Sequence, residues 1–181
     1  MVPEALAVVS VEEFWHLAHR FERAELVGGQ IVEMTPPGFR HGAIVVTIAR
    51  LLHEHVAVEG LGAVVAETGF VLSRDPPTVR APDVAVVLAA RVPSPSPVRF
   101  FQGPPDLAVE VLSPDESPAE LAAKVTDYLR AGTQAVWVVD PNSHRVTVHT
   151  RNGATRYAPD EMLDGAPVLP ALRLPVAKLL A

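Results

Sequence analysis

Cysteine is absent from this 181-residue chain, which excludes disulfides and thiolate metal sites. Lysine is nearly absent: of fifteen basic residues only Lys124 and Lys178 are not arginine. No apolar run reaches the ~18 residues that would cross a bilayer, so no membrane association is expected. The start, Met1 to Ala5, has neither the basic residues nor the long apolar stretch of a secretion signal, and a cytoplasmic location is expected. A basic excess is missing too. The formal net charge of −6 argues against tight, metal-free binding of nucleic acid. It is compatible with a nuclease whose acidic site is neutralised by cations. With 49% apolar and 20% charged residues, the chain is expected to form one globular domain over residues 1–181.

Ser10 to Glu13 reads as a capping box, followed at helical spacing by Val11, Phe14, Leu17, Ala18 and Phe21, which predicts a helix to about Arg23. Gly28-Gly29 between two apolar stretches predicts a hairpin, because both turn positions favour positive φ. A long helix is expected from about His41 to Val58. Val-rich strands are expected over Ala63–Ser73, Val79–Leu88 and Asp106–Leu112, with a proline-broken loop from Arg91 to Gln102. Ser117 to Glu120 forms a second capping box, with Pro118 at the first helical position, for a helix that stops at Gly132. Ala135–Val139 and Arg145–His149 form a last hairpin. The order implies an α/β domain whose mixed central sheet is flanked by helices, with an N-terminal helix and hairpin.

Two of the apolar strands carry one acid each: Asp83 after Pro82, and Glu110 within the run Pro105 to Leu112. An ionised carboxylate in a buried strand is costly unless paired or bound to a cation. Two adjacent ones repel, and Mg²⁺ between them relieves both costs. Lys124, fourteen positions after Glu110, lies at the edge of the apolar arc formed by Leu121, Val125, Tyr128 and Leu129. Two carboxylates and an ammonium are the parts needed to bind a divalent metal and activate a water. The competing structural reading has the acids facing solvent at strand ends, or paired with Arg80 and Arg99, and Lys124 in a surface pair with Glu120 or Asp127. Glu25, Glu33 and His41 are further candidates, set against outward positions in alternating strands and a helix-capping role. Trp137 reads as packing or a dimer contact.

Pro82-Asp83, Glu110 in a Val-Glu-Val-Leu-Ser-Pro run, and a lysine on the next helix resemble the PD-(D/E)XK nuclease superfamily. Within it, most of the chain is similar to the Uma-type family of restriction-endonuclease-like proteins. Glu25 to Pro36 resembles the family's opening hairpin and His41 a histidine at the start of its first long helix. Arg80 to Val86 and Pro105 to Pro114 resemble its two central motifs. Lys124, Tyr128, Ala131-Gly132 and Val136 to Pro141 resemble its lysine helix and last strand. The resemblance implies a restriction-endonuclease-like core, Mg²⁺ (or Mn²⁺) held by Asp83 and Glu110, and DNA as substrate. Lys124 would stabilise the attacking hydroxide or the pentavalent phosphate. There are two departures. The superfamily's lysine stands two residues after the glutamate, where this chain has Leu112. Gln30 replaces an acid usual after the glycine turn.

The leading expectation is therefore a Mg²⁺-dependent endonuclease, as a homodimer. The alternative is an inactive nuclease-fold homodimer that serves as a binding module. Two-carboxylate glycoside hydrolysis ranks last, since the sequence lacks exposed aromatics for sugar stacking.

Overall fold

The structure, a computed structural model, describes residues 8–95 and 99–181. Pro97 of the proline-broken loop lies outside the described residues.

Helix α1 (Val11–Leu17) opens with the expected box: the Ser10 hydroxyl accepts from the Glu13 amide, and the Glu13 carboxylate accepts from the Ser10 amide at 2.8 Å. The helix is shorter than its apolar spacing implies. It ends at Leu17 and gives way to one tighter turn, Ala18–Arg20. Arg23 is already committed to the following hairpin, since its carbonyl accepts from the Met34 amide at 3.1 Å. That hairpin, β1 (Ala24–Val27) and β2 (Gln30–Glu33), turns on Gly28 and Gly29 at φ +57° and +80°, as the glycine pair requires. Helix α2 (Phe39–Val58) buries Ile44, Ile48, Leu52 and Val56 along one stripe.

Two expected strands are each divided in two. Ala63–Ser73 is β3 (Gly62–Ala66) and β4 (Phe70–Arg74), separated at Glu67, which has φ +49°. Val79–Leu88 is β5 (Pro77–Arg80) and β6 (Val84–Leu88), separated at Pro82, which has no amide to donate. Each break transfers the chain between two sheets. The breaks fall at Glu67-Thr68-Gly69 and Ala81-Pro82-Asp83, and apolar residues resume beyond each, so the stretch reads as one strand although the chain changes sheet.

β7 (Phe101–Gln102) pairs parallel with β4, so the end of the proline-broken loop does join a sheet. β8 (Leu107–Val111), α3 (Pro118–Ala131), β9 (Ala135–Asp140) and β10 (Arg145–Thr150) follow as expected. β11 (Gly153–Tyr157) was not foreseen: it is almost wholly exposed and has no apolar alternation, and its pairing with β10 defines it. A ribbon of β12 (Met162–Asp164) and β13 (Arg173–Pro175) leads into α4 (Val176–Leu179).

The strands form a six-stranded sheet, β11-β10-β9-β8-β6-β3, and a five-stranded sheet, β2-β1-β5-β4-β7. The larger sheet is mixed, parallel between β8 and β9 and antiparallel elsewhere. Alternation in β8 sorts its residues to two faces. Leu107, Val109 and Val111 pack with α2 and the C-terminal elements. Ala108 packs with Val125 and Tyr128 of α3. Glu110, two residues on from Ala108, shares the α3 face. Trp137 is fully buried in the α2-side core, so it is packing and not a surface contact.

Candidate active site

The antiparallel register of β6 and β8 pairs Val84 with Val109 and Ala85 with Ala108. One step further places Asp83 opposite Glu110. Residues directly opposed across two strands point to the same face, so both carboxylates belong to the α3 side. Both are buried, Asp83 to 4% exposure and Glu110 to 3%. Neither is a solvent-facing strand end.

Each acid is held by named donors. One oxygen of Asp83 accepts from the Val111 amide at 2.7 Å and lies 3.3 Å from His41 Nε2. The other lies 3.7 Å from Arg23 Nη2. Glu110 accepts from the Tyr128 hydroxyl at 2.8 Å and from Lys124 Nζ at 3.2 Å. Lys124 also meets Glu116 at 2.9 Å. Lys124 and Tyr128 are four residues apart, so one face of α3 presents both to Glu110. The ammonium expected from the helix is therefore directed at the glutamate, and its partners are Glu110 and Glu116 rather than Glu120 or Asp127. The position after Val111, occupied by Leu112, supplies no cation; α3 does so from the adjacent layer.

The electrostatics follow from this packing. Burial pushes the Glu110 carboxyl up to about 8, with Lys124 opposing the shift, Asp83 and Glu25 adding to it, and the Tyr128 hydrogen bond moderating it. Burial alone would weaken the charge on Lys124, but the carboxylates of Glu110, Glu25 and Glu116 outweigh that and hold it above the usual lysine range. His41 is raised from its ordinary value, chiefly by its hydrogen bond to Asp83. The Tyr128 hydroxyl is raised well above its ordinary value by burial and the neighbouring acids.

A cavity of about 490 Å³ connects these groups. Its walls include Asp83, Glu110, Lys124, Glu25, Glu33 and His41, the six candidate residues of the sequence. They have different surroundings. Glu25 is fully buried and accepts from Arg80 Nη1 at 2.6 Å and from the Ala81 amide at 2.9 Å. It is therefore an inward residue and not the outward one that strand alternation allowed. Glu33 is exposed and borders the cavity mouth. His41 lies in the first turn of α2 and is a buried partner of Asp83. Gln30 does not line the cavity.

Two contributors, Arg23 and Glu116, had no sequence signal, and two others, Arg80 and Tyr128, take roles other than those expected. Arg23 and Glu116 sit in irregular segments whose proximity to the acids exists only after folding. Arg80, considered as a partner for Asp83 or Glu110, instead pairs with Glu25 and with Asp127 at 2.7 Å. Tyr128 was legible as core, but its hydroxyl contact was not.

Among the described residues, no three His, Asp or Glu side chains gather as a ready metal cluster. The two opposed carboxylates nevertheless fit Mg²⁺, which takes one or two carboxylates together with waters and a substrate phosphate oxygen. The donors are all oxygens, and a cation beside them would offset the burial, and with it the repulsion from Asp83, that raises Glu110.

Comparisons with known proteins bear on the same residues. A crystal structure described as that of a "putative nuclease belonging to DUF820" from Anabaena variabilis matches with a TM-score of 0.82 and 22% identity, covering 95% of this chain and 97% of that one. At that identity the likeness shows a shared fold, here a nuclease-like one. No curated protein matches. The pattern of the Uma2 family, described as "putative restriction endonuclease", matches residues 11–177 and thus both acids, the lysine helix and the opening hairpin. The chain belongs to the Uma2 family of restriction-endonuclease-like proteins.

Proposed function

We propose that this protein is a Mg²⁺-dependent endonuclease that hydrolyses phosphodiester bonds in DNA, with Asp83, Glu110 and Lys124 as its catalytic residues. The observation that carries this reading is the buried Asp83–Glu110 pair, opposed across β6 and β8, with the Lys124 ammonium 3.2 Å from Glu110 and a cavity open to both acids. Family membership supports a nuclease; metal dependence and DNA as substrate are the proposal.

Asp83 and Glu110 would hold the cation, Mg²⁺ or Mn²⁺. When bound, it supplies Lewis-acid polarisation of the attacking water and of the phosphate. Asp83 is fixed for that task by the Val111 amide and His41. Glu110 is fixed by Tyr128, so its remaining oxygen is shared with Lys124. Lys124 holds positive charge beside the acids, where the attacking oxygen and the crowded phosphate gather negative charge. Glu116 keeps the ammonium oriented and charged. Glu33 and His41 are proposed to support the site from its mouth and from beneath Asp83. Glu25, engaged by Arg80, shapes its wall.

Plasmid cleavage in Mg²⁺ or Mn²⁺ tests the assignment. Asp83→Ala and Lys124→Ala are each expected to lower the rate by about 10²–10³-fold, the range for loss of one positioned charge. Equal cleavage by wild type and both variants discards the assignment.

One observation favours a second reading, a non-catalytic homodimeric module. Phe39 is 95% exposed and Val46 69% exposed on the outer face of α2, an apolar surface that a second copy would cover. Calorimetric titration separates the two readings. A site that ignores both Mg²⁺ and Mn²⁺ in a chain that sediments as a dimer supports the module.

A further inference from the structure

We infer that Arg23 is a phosphate-binding residue of this site, a guanidinium shared between Asp83 and Glu67 that turns to the DNA backbone when a cation takes over the neutralisation of Asp83. The inference deepens the nuclease reading and rests on it.

Four cationic side chains line the cavity: Arg23, Arg80, His41 and Lys124. Two, Arg80 and Lys124, are fully engaged. Arg80 is 7% exposed and bonded at 2.6 and 2.7 Å to Glu25 and Asp127. Lys124 is bonded to Glu110 and Glu116. His41 is buried with Nε2 against Asp83 and Nδ1 unpartnered. Arg23 differs. Its Nη2 lies 3.5 Å from Glu67 and 3.7 Å from Asp83, and its side chain is 20% exposed. Charge-assisted hydrogen bonds close to about 2.7–2.9 Å, so neither contact is a tight one. Arg23 is therefore the cavity's least constrained cation. It stands beside one of the two proposed metal ligands.

Glu67 supplies the second, independent observation. It occupies the left-handed region at φ +49° in the break between β3 and β4. A non-glycine residue pays for that conformation and keeps it where the surroundings impose it. Here the result is a half-exposed carboxylate that meets the same Arg23 Nη2 that approaches Asp83. Glu67 thus gives the guanidinium a second anchor, one that remains when Asp83 is otherwise occupied. The cavity wall also includes Glu33, Asp115, Glu116 and Glu120. An approaching phosphodiester meets repulsion from all four, and Arg23 is the guanidinium free to offset it. A guanidinium also matches the two non-bridging oxygens of a phosphodiester with two parallel N–H donors, which an ammonium does not.

The test measures binding rather than cleavage. A fluorescein-labelled DNA duplex is titrated with wild type, Arg23→Gln, Arg23→Lys and Glu67→Gln in Ca²⁺ across a range of KCl, and Mn²⁺ binding to each protein alone is measured by calorimetry. Arg23→Gln is expected to weaken DNA binding at least fivefold and to lower the salt slope by about one, the signature of one lost phosphate contact. Mn²⁺ affinity should hold or increase, because a positive charge beside Asp83 is gone. Arg23→Lys should recover less than half of the lost affinity. Glu67→Gln, which keeps the guanidinium, should bind DNA at least as tightly as wild type. Arg23→Gln with unchanged DNA affinity and salt slope overturns the inference while leaving the nuclease reading intact. So does parallel loss of Mn²⁺ binding and thermal stability, which would make Arg23 a structural support of Asp83. Wild type that takes up no Mn²⁺ and binds no DNA overturns both readings.

Discussion

Glu110 is a carboxyl whose surroundings work against its charge. Burial holds it up at about 8, against an ordinary glutamate value of 4.5. Below pH 4.5 it is protonated in both the folded and the unfolded chain. As pH rises from there towards 8, the unfolded chain releases a proton that the folded chain retains, so folding stability falls across that window. Glu110→Gln removes the titrating group and keeps its shape, with the amide able to serve both Lys124 and the Tyr128 hydroxyl. Without divalent cation, Glu110→Gln is therefore expected to melt above wild type at pH 8–9, with the gap closing towards pH 5. Mn²⁺ should raise the melting temperature of wild type and leave that of Glu110→Gln unchanged. Differential scanning fluorimetry across pH reads both effects. Tyr128→Phe should act in the opposite sense on the same group. It removes the hydrogen bond that moderates the shift, costs about 1–3 kcal/mol for an unsatisfied buried oxygen, and moves the onset of Mn²⁺ binding to higher pH. Calorimetric titrations at several pH values would show it. At this scale the sequence was most informative. Asp83 and Glu110 were legible because charge is conspicuous inside an apolar strand, and Lys124 because it has so few fellow lysines. Arg23 and Glu116 were not, because a charged residue in a loop looks the same whether it faces water or an acid.

Among the elements, α3 contributes the most side chains to the candidate site: Lys124, Tyr128 and, through Arg80, Asp127. Its start is fixed by the Ser117–Glu120 box and its end by Gly132 at φ +115°. Between them Lys124 and Tyr128 face Glu110, while Asp127 faces away from Glu110 to receive Arg80. Arg80 thus ties α3 to β5 and, through Glu25, to β1. Arg80→Ala would strand one fully buried and one partly buried carboxylate, and is expected to cost about 3–5 kcal/mol of stability, the range for breaking a buried pair by removing one partner. Urea unfolding measures it, and adding Glu25→Gln should restore part of the loss by removing the uncompensated charge. Ser117→Ala should cost only about 1 kcal/mol, as loss of an N-cap does. Helices and their caps were readable in advance because their signals are local: a serine, a glutamate three residues on, a glycine at the end. The division of Ala63–Ser73 and Val79–Leu88 between two sheets was not. The pairing partners that define β3 to β6 are distant in the chain. β11 shows the same limit from the other side, since nothing in Ala154, Thr155 and Arg156 demands a strand until β10 is beside it.

The molecule as a whole carries a charge of −6 and concentrates acids around the cavity it would open to DNA. Glu33, Asp115, Glu116 and Glu120 border the cavity, and Glu25, Asp83 and Glu110 line it. Its cations are mostly spent on those same acids. Long-range attraction does not favour a polyanion at this surface, and under the proposed function a divalent cation would have to change the local sign first. At constant ionic strength, wild type is expected to show no measurable binding to a short duplex in EDTA and clear binding in Ca²⁺ or Mn²⁺, by fluorescence anisotropy. Asp83→Asn/Glu110→Gln supplies the converse. It removes two negative charges and the proposed cation ligands together, and it leaves Lys124 and Arg23 with fewer acids to satisfy. That variant should bind the duplex weakly in EDTA, should gain nothing from Ca²⁺, and should lose its affinity steeply with added KCl as counterion release requires. Wild type that binds equally well with and without divalent cation would show that a basic surface elsewhere on the molecule carries the DNA, and that the cavity's acidity does not control access.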